Sequence, residues 1–370
     1  MLYVWHHRLF RPDSVGYYAM IIHGDCLEEM RKMADNSISA IVTDPPYGLS
    51  FMGKEWDYVL PQMSYWKEAF RISKPGAFLV SMGGTRTFHR LACAIEDAGW
   101  EIRDCISWLY GSGFPKSHNH FGIEGYGTAL KPAWEPCIVA MKPCDGTFKQ
   151  NSEKWGQAGI NIDACRIETQ EDRSRPYGPQ NEANTYCKGW KGIESISHPK
   201  GRWPANVILD EEAGKLLDEQ SGTLKSGHFK QITTHKQNKI YGKFQRANCN
   251  EFEENSGGAS RFFYCAKASS KERSEGLEAF PGIIGKRTQH GGDDTRGRPI
   301  PINKNNHPTV KPLALMEYLI KLVMPPKEGI LLDPFAGSGT TLLAAKRLGF
   351  EAIGIEKNEE YCEIARARIA

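Results

Sequence analysis

Apolar positions along the first 142 residues recur with two different periods. Short runs rich in β-branched and aromatic residues, at 38–42 (ISAIV), 76–82 (GAFLVSM), 101–110 (EIRDCISWLY) and 135–141 (EPCIVAM), read as strands. Between them, 63–73 (MSYWKEAFRIS) and 87–99 (TFHRLACAIEDAG) place apolar residues at helical spacing, and Gly99 closes the second. This alternation predicts a parallel α/β sheet. From about 143 to 300 the pattern breaks down: Gly, Asn, Ser, Lys and Gln dominate, and the apolar runs shorten to stretches such as RWPANVILD (202–210) and SRFFYCAKAS (260–269). Regular spacing returns at 301, with LALMEYLIKLV (313–323) as an amphipathic helix and GILLD (329–333) as a strand. A helix at TTLLAAKRLG (340–349), a strand at EAIGIE (351–356) and a helix at NEEYCEIARARI (358–369) complete the series.

The expected organisation is one sheet, built from 20–142 and 301–370, interrupted by an insert at 143–300. The first well-patterned segment, MIIHGDCLEEM, opens at Met20. Residues 1–19 match no element and are expected to be an N-terminal extension, disordered or read from an upstream start. They lack the clean apolar stretch and small-residue cleavage site of a signal peptide.

At 370 residues, with 40% hydrophobic and 25% charged residues, the chain has the makeup of a globular protein of one large or two medium domains. It contains no run of about 18 apolar residues, so no membrane-spanning segment and no membrane partner are expected, while the unpaired spacing of its cysteines suits reduced thiols in a cytoplasm. Ten cysteines are scattered from Cys26 to Cys362 without a CxxC pair, which argues against a zinc site and a disulfide framework. The formal charge of +3 is uninformative, but its distribution is not. Residues 221–250 hold Lys225, Lys230, Lys236, Lys239, Lys243 and Arg246 with no Asp or Glu. Such a run is either a solvated loop or a surface that meets phosphates.

Two motifs carry chemistry. LLDPFAGSGTT (331–341) has the order strand, acid, Gly-rich turn, helix, by which Rossmann-like folds build a ligand loop at a strand end. Gly337 and Gly339 permit a tight turn and close approach of backbone. Their spacing is not G-x-G-x-x-G, and no Gly-Lys-Ser/Thr follows, so neither a dinucleotide fingerprint nor a P-loop fits. Glu356, at the end of the next strand, is placed to accept two hydrogen bonds from a ribose. Loop and acid together point to an adenosine-bearing ligand without a pyrophosphate.

The second motif is TDPPYGLSF (43–51). Asp44 falls at the C-terminal edge of a strand, where open α/β sheets bind ligands. Pro45 and Pro46 fix the backbone and remove two N–H donors, leaving a stiff stretch of carbonyl acceptors. A carboxylate beside a carbonyl can accept both hydrogens of a planar amino group, and Tyr47 offers a flat face to a heteroaromatic ring. Four residues alone also describe an ordinary Asp-Pro turn.

DPPY followed far downstream by DPFAGSGTT resembles the amino-methylating DNA methyltransferases, and the order of the two motifs resembles their beta group. NNHPTVKPLALMEYLI (305–320) and IIHGDCLEEM (21–30) are similar to that group's segment before the Gly loop and to its N-terminal strand end. GTALKPAWEP, GRWPANVILDEE and GGASRFFYCAKAS look like prophage-type members. The resemblance implies a Rossmann-like S-adenosylmethionine-dependent methyltransferase fold, circularly permuted in motif order, with an inserted target-recognition domain. S-Adenosylmethionine would be the cofactor and a nucleobase in double-stranded DNA the aromatic amine. Asp44 and the Pro45 carbonyl would accept the amino hydrogens, Pro46 would stiffen the turn, and Tyr47 would stack on the flipped base. Asp333, Phe335, Gly337, Ser338, Gly339 and Thr340 would surround the cofactor, Glu356 its ribose and Asp25 its adenine. His307, Thr309 and Lys311 are expected near its methionine carboxylate, Lys311 with the alternative of a solvated position before Pro312. The insert would read the target sequence, its basic stretch facing DNA, while Trp155, Trp190, Trp203, Phe262 and Phe263 are expected to be local core. A homodimer and a cognate restriction enzyme fit the same family pattern.

DPPY favours N6 of adenine over N4 of cytosine, whose methylases more often begin the motif with Ser. A protein-glutamine methyltransferase would place the Gly loop first and carry Asn at the motif's first position. A DNA-binding protein with decayed catalysis would not need Asp44, Pro45, Tyr47 and both loop glycines intact. A dinucleotide oxidoreductase would need a different glycine spacing.

Overall fold

A computed structural model describes residues 18–49, 57–113, 117, 122–169, 198–226, 255–266, 272–278, 283–284, 302–303, 305, 307, 309–326 and 328–370. Its Cα positions separate into two compact units, one of residues 1–165, 206–213 and 265–370, the other of 166–205 and 214–264.

The N-terminal part of the first unit alternates β1 (Ala19–His23), α1 (Cys26–Arg31), β2 (Ile38–Thr43), α2 (Met63–Ile72), β3 (Ser73–Met82), α3 (Phe88–Asp97), β4 (Glu101–Leu109) and β5 (Trp134–Met141). Then come α4 (Phe148–Trp155), β6 (Val207–Asp210), α5 (Glu211–Ser221), β7 (Leu224–Ser226), β8 (Asn255–Gly257), β9 (Tyr264–Ala266), β10 (Ile283–Ile284) and β11 (Ile302–Asn303). The chain closes with α6 (Leu313–Val323), β12 (Ile330–Asp333), α7 (Thr340–Leu348), β13 (Glu351–Glu356) and α8 (Glu359–Ile369). Nine strands form one sheet in the order β1-β13-β12-β2-β3-β5-β4-β6-β9.

Strands β1, β13, β12, β2 and β3 are mutually parallel, as the alternating pattern predicts. Strand β5 departs from that expectation, running antiparallel to both β3 and β4. The residues between β4 and β5 carry no helical periodicity. A parallel neighbour needs a crossover, usually a helix, whereas an antiparallel neighbour needs only a return loop. The sheet is therefore mixed.

All six residues of β2 are buried, which explains why its larger side chains, Ile38, Ile41 and Val42, are all apolar. Ile38 and Ile41 of β2 join Leu79 of β3, Leu332 of β12 and Ile355 of β13 in a core shared with Trp66 of α2 and Leu91 and Ile95 of α3. Trp100 anchors this layer: its indole N–H donates to the Trp66 carbonyl at 3.1 Å, and its ring meets Phe70 edge-on at 5.6 Å. Truncating so buried an indole costs roughly 3–5 kcal/mol.

The segment just after β5 belongs to the first unit. A capping box between Thr147 and Gln150 starts α4, and buried Asn151 donates to the carbonyls of Pro75 at 2.9 Å and Gln157 at 2.6 Å. The second unit has its own small framework, in which β7 pairs antiparallel with β8 and Asp218 accepts from the Ser260 amide at 2.7 Å and hydroxyl at 2.6 Å. The expectation that its aromatics are core is corrected here. Trp203 is 65% exposed beneath the Arg166 guanidinium, and exposed Phe262 lies between the guanidiniums of Arg202 and Arg261 at 4.6 and 4.3 Å. A guanidinium near each ring supplies an attractive partner in addition to any apolar neighbours. Trp155 and Phe263 are partly buried, and Trp190 lies outside the described residues.

Candidate active site

Four parallel neighbours of the sheet end in acids. Asp25 follows β1, Glu356 ends β13, Asp333 ends β12 and Asp44 follows β2. The register sets Leu331 beside Ala40 and Leu332 beside Ile41, so the two motifs, far apart in sequence, leave the sheet side by side. The Thr43 hydroxyl fastens them by donating to Asp333 at 2.6 Å. A cavity of about 880 Å³ runs past these strand ends and includes all four acids in its wall.

At the β1–β13–β12 end the acids are held largely by backbone. Asp25 caps α1 by accepting from the Leu27 amide at 3.0 Å. Glu356 accepts from the amides of Gly337 at 2.9 Å and Asn358 at 2.8 Å. Burial raises its carboxyl above the ordinary glutamate range, against the pull of those N–H groups. Gly337 has φ +52°, and a Cβ there would come within 2.8 Å of His307 Nε2. Asp333 is buried, and burial pushes its carboxyl up to about 6 despite hydrogen bonds from Thr341, Thr43 and the Phe335 amide.

Ser338 and Thr340 turn their hydroxyls inward. Buried Arg368 of α8 donates to the Ser338 carbonyl at 2.8 Å and to the Thr340 hydroxyl at 2.9 Å, tying the Gly turn to the last helix. Phe335 lies against Tyr65 and Trp66, with centroids 6.3 and 6.4 Å away. Of the residues expected to bind a cofactor, Asp25, His307, Thr309, Lys311, Asp333, Phe335, Gly337, Ser338, Thr340 and Glu356 all line the cavity. Gly339 does not; it caps α7 at φ +77°, packed on Ala365.

Side chains hold the β2 end. Asp44 Oδ1 accepts from the Tyr47 hydroxyl at 2.7 Å, and Oδ2 from Lys311 Nζ at 2.6 Å. Glu135, near the start of β5, reaches the same group: its Oε2 lies 3.0 Å from the Tyr47 hydroxyl and 3.3 Å from Lys311 Nζ. Lys311 is thus bonded within the protein, and the alternative of a solvated side chain does not hold. Burial alone would depress its ammonium, but Asp44 and Glu135 outweigh that and hold it above the ordinary lysine range. The loop after Asp44 is pinned by buried Asp57, which accepts from the amides of Tyr47 at 2.6 Å, Gly48 at 3.1 Å and Leu49 at 3.3 Å. Thr87 adds a hydrogen bond to the Tyr47 carbonyl at 2.7 Å. Asp44 and Pro46 line the cavity, while Pro45 is buried beside it.

Sequence reasoning passed over Thr43, Asp57, Glu135, Asn358 and Arg368. Only Glu135 left a signal, an acid at the start of an otherwise apolar strand. Of the basic stretch, Lys225 lies on β7 and is exposed; Lys230, Lys236, Lys239, Lys243 and Arg246 fall outside the described residues, as do residues 1–17.

The profile of the N6/N4 DNA methylase family matches residues 38–367, a span that takes in both motifs and all the strand-end acids except Asp25. The chain belongs to that family. It is 46% identical over 360 residues to the type II methyltransferase M.HpaI of Haemophilus parainfluenzae, an alignment covering 94% of this chain and 73% of M.HpaI. It is 55% identical over 67 residues to the type II methyltransferase M.HindIII of Haemophilus influenzae, where the alignment covers 18% of this chain and spans about a fifth (21%) of that protein. Among solved structures, M1.HpyAVI matches with 17% identity and a TM-score of 0.44, covering 95% of this chain and 98% of that one. The PvuII cytosine-N4-specific DNA methyltransferase matches with 16% identity and a TM-score of 0.48, covering 96% and 88%. No helix among the described residues is long and apolar enough to cross a membrane.

Proposed function

We propose that this member of the family transfers a methyl group from S-adenosylmethionine to the N6 amino group of an adenine flipped out of duplex DNA. The observation that carries this reading is the pairing of two unlike ends in one cavity. One end offers an acid and a glycine turn whose Cβ space is already filled, the other a carboxylate on a stiff Pro-Pro loop.

The cofactor end fits an adenosine-bearing ligand. Glu356 keeps lone-pair capacity for a ribose hydroxyl beyond its amide bonds, and Gly337 lets backbone approach closely. Asp25 stands two residues beyond β1, on the adenine side of this reading, with His307 and Thr309 toward the methionine. When bound, S-adenosylmethionine supplies an activated, electrophilic methyl group.

An aromatic amine is a poor nucleophile because its lone pair is delocalised into the ring. Asp44, with the Pro45 carbonyl as second acceptor, draws both amino hydrogens and favours a tetrahedral nitrogen whose lone pair is free. Asp57, Thr87 and the two prolines hold that acceptor in one place, and such positioning is the main contribution asked of the protein. Extruding the base costs a few kcal/mol, offset by stacking and hydrogen bonds in the pocket. Asp at the first position of the motif favours adenine over cytosine.

The second unit is assigned the reading of double-stranded DNA, including the basic stretch of residues 221–250. Exposed Trp203 and Phe262, each under arginine, suit contact with phosphates and bases. A permuted motif order with an inserted recognition unit, a cytoplasmic location, a homodimeric state and a cognate restriction enzyme remain parts of the proposal. Labelled methyl transfer from S-adenosylmethionine to unmethylated duplex DNA tests the central claim. Transfer by the wild type and its loss in Asp44→Ala support it; an Asp44→Ala variant that works at the wild-type rate removes the assigned role.

A further inference from the structure

Both oxygens of Asp44 already have donors, and both donors already have a second acceptor. Lys311 Nζ and the Tyr47 hydroxyl, which hold Asp44 at 2.6 and 2.7 Å, each also lie within 3.3 Å of one oxygen of Glu135. The four groups come from four places in the first unit: the end of β2, the loop after it, β5, and the segment entering α6. The Asp44 side chain is only 19% exposed and that of Lys311 only 9%. An incoming amino group therefore competes with these two donors for the carboxylate's lone pairs.

Displacing a buried ammonium from its carboxylate outright would leave an uncompensated charge, one of the costlier events in a protein interior. Glu135 removes that obstacle. A shift of about 0.7 Å, the difference between the two distances, exchanges which acid Lys311 holds more closely without taking it into water. The hydroxyl of Tyr47 has a single proton to donate, so its two acceptors are alternatives in the same way.

We propose that Lys311 and Glu135 are a pair of positioning residues for base entry. Lys311 caps Asp44 in the free protein and passes to Glu135 when the amino group of the flipped base docks on Asp44. Asp44 is then presented as an acceptor, already aimed, at the moment the base arrives. This assignment rests on the proposed methylation reaction. It also moves Lys311 from the cofactor carboxylate to the base pocket.

Three variants test it with unmethylated duplex DNA, S-adenosylmethionine and direct measurement of cofactor binding. Lys311→Met is expected to lower kcat by about 100-fold, and Glu135→Gln by about 10-fold with a raised KM for DNA, as misplaced catalytic groups do. Both keep cofactor affinity within about 3-fold, which also shows that the fold is intact, because neither side chain touches the cofactor in this account. Lys311→Arg recovers part of the loss, since it restores a cation in reach of both acids. In the Lys311→Met background, Glu135→Gln has a smaller effect than in the wild type, because the part of its role that passes through the lysine is already lost and only its bond to Tyr47 remains.

Loss of cofactor affinity in proportion to activity in Lys311→Met would overturn the assignment and return Lys311 to the methionine carboxylate. Wild-type kinetics in Glu135→Gln, or fully additive losses in the double variant, would overturn it as well. Absence of any methylated nucleoside with the wild-type protein would instead remove the proposed reaction itself.

Discussion

The two ends of the cavity hold their acids by different means. Around Glu356 and Asp25 the partners are mainly backbone amides, fixed by the turn after β12, the start of α8 and the first turn of α1. Around Asp44 the partners are the tips of Tyr47 and Lys311, with Glu135 beside them. Backbone partners are set once the fold forms and cannot leave without unfolding a turn. Side-chain partners can change places within one cluster. A cofactor common to every turnover suits the first kind of site. A base that must enter, react and depart suits the second.

The sharpest break in this comparison separates binding from chemistry. Asp44→Ala is expected to cut methyl transfer by about 1,000-fold, in the range seen when a main electrostatic contact is removed, with cofactor affinity nearly unchanged. Gly337→Ala should do the reverse at the other end. Its φ of +52° and the 2.8 Å approach to His307 Nε2 leave no room for a methyl group. Forcing a Cβ into the left-handed region costs about 1–2 kcal/mol, and cofactor affinity measured by titration should fall by at least 10-fold, taking activity with it. Cofactor binding that survives Gly337→Ala intact would break the contrast.

A smaller effect reports on the second unit. Trp203→Ala is expected to weaken DNA binding by about 10-fold, comparable to the loss of one stacked base–aromatic contact. Neutralising Lys236, Lys239 and Lys243 together should weaken it most at low salt and flatten the salt dependence. Affinity unmoved across a salt titration would return that stretch to a solvated loop.

Asp333 supplies the smallest and most local prediction. Burial pushes its carboxyl from an ordinary 3.8 up to about 6, so between those values the folded protein holds the proton more tightly than the unfolded chain. The group's contribution to stability therefore falls as pH rises through that window, by on the order of 3 kcal/mol. Thermal melts should show Asp333→Asn gaining on the wild type between pH 4 and pH 7, the gain vanishing at the acid end. An Asn variant equally destabilised at both ends would show that burial does not raise this carboxyl.

Elements with a strong period were legible in the sequence: β2, α3, α6, β12, α7, β13 and α8 all fall within a residue or two of their expected bounds. Their burial fixes which positions must be apolar. The direction of β5 was not legible, because an apolar strand reads the same from either end. The missing helix between β4 and β5 was the available clue. Asp44 and Asp333 could be read from their motifs, but their adjacency depends on β2 and β12 pairing, which no local pattern announces.

Lys311 shows the limit most clearly. It lies 267 positions from Asp44, and only the folded sheet reveals that its ammonium is held by Asp44 rather than by solvent. Asp57 was hidden for a similar reason. Three backbone amides converge on it, and backbone donors leave no trace in side-chain patterns. Trp203 and Phe262 were misread because large aromatics in an irregular stretch look like core until the arginines above them are seen.

The most direct measurement is the identity of the methylated base. Purified protein, unmethylated duplex DNA and S-adenosylmethionine are incubated, the DNA is digested to nucleosides, and the products are resolved by mass spectrometry. The account predicts 6-methyladenine. 4-Methylcytosine in its place, or no methylated nucleoside at all, would contradict it.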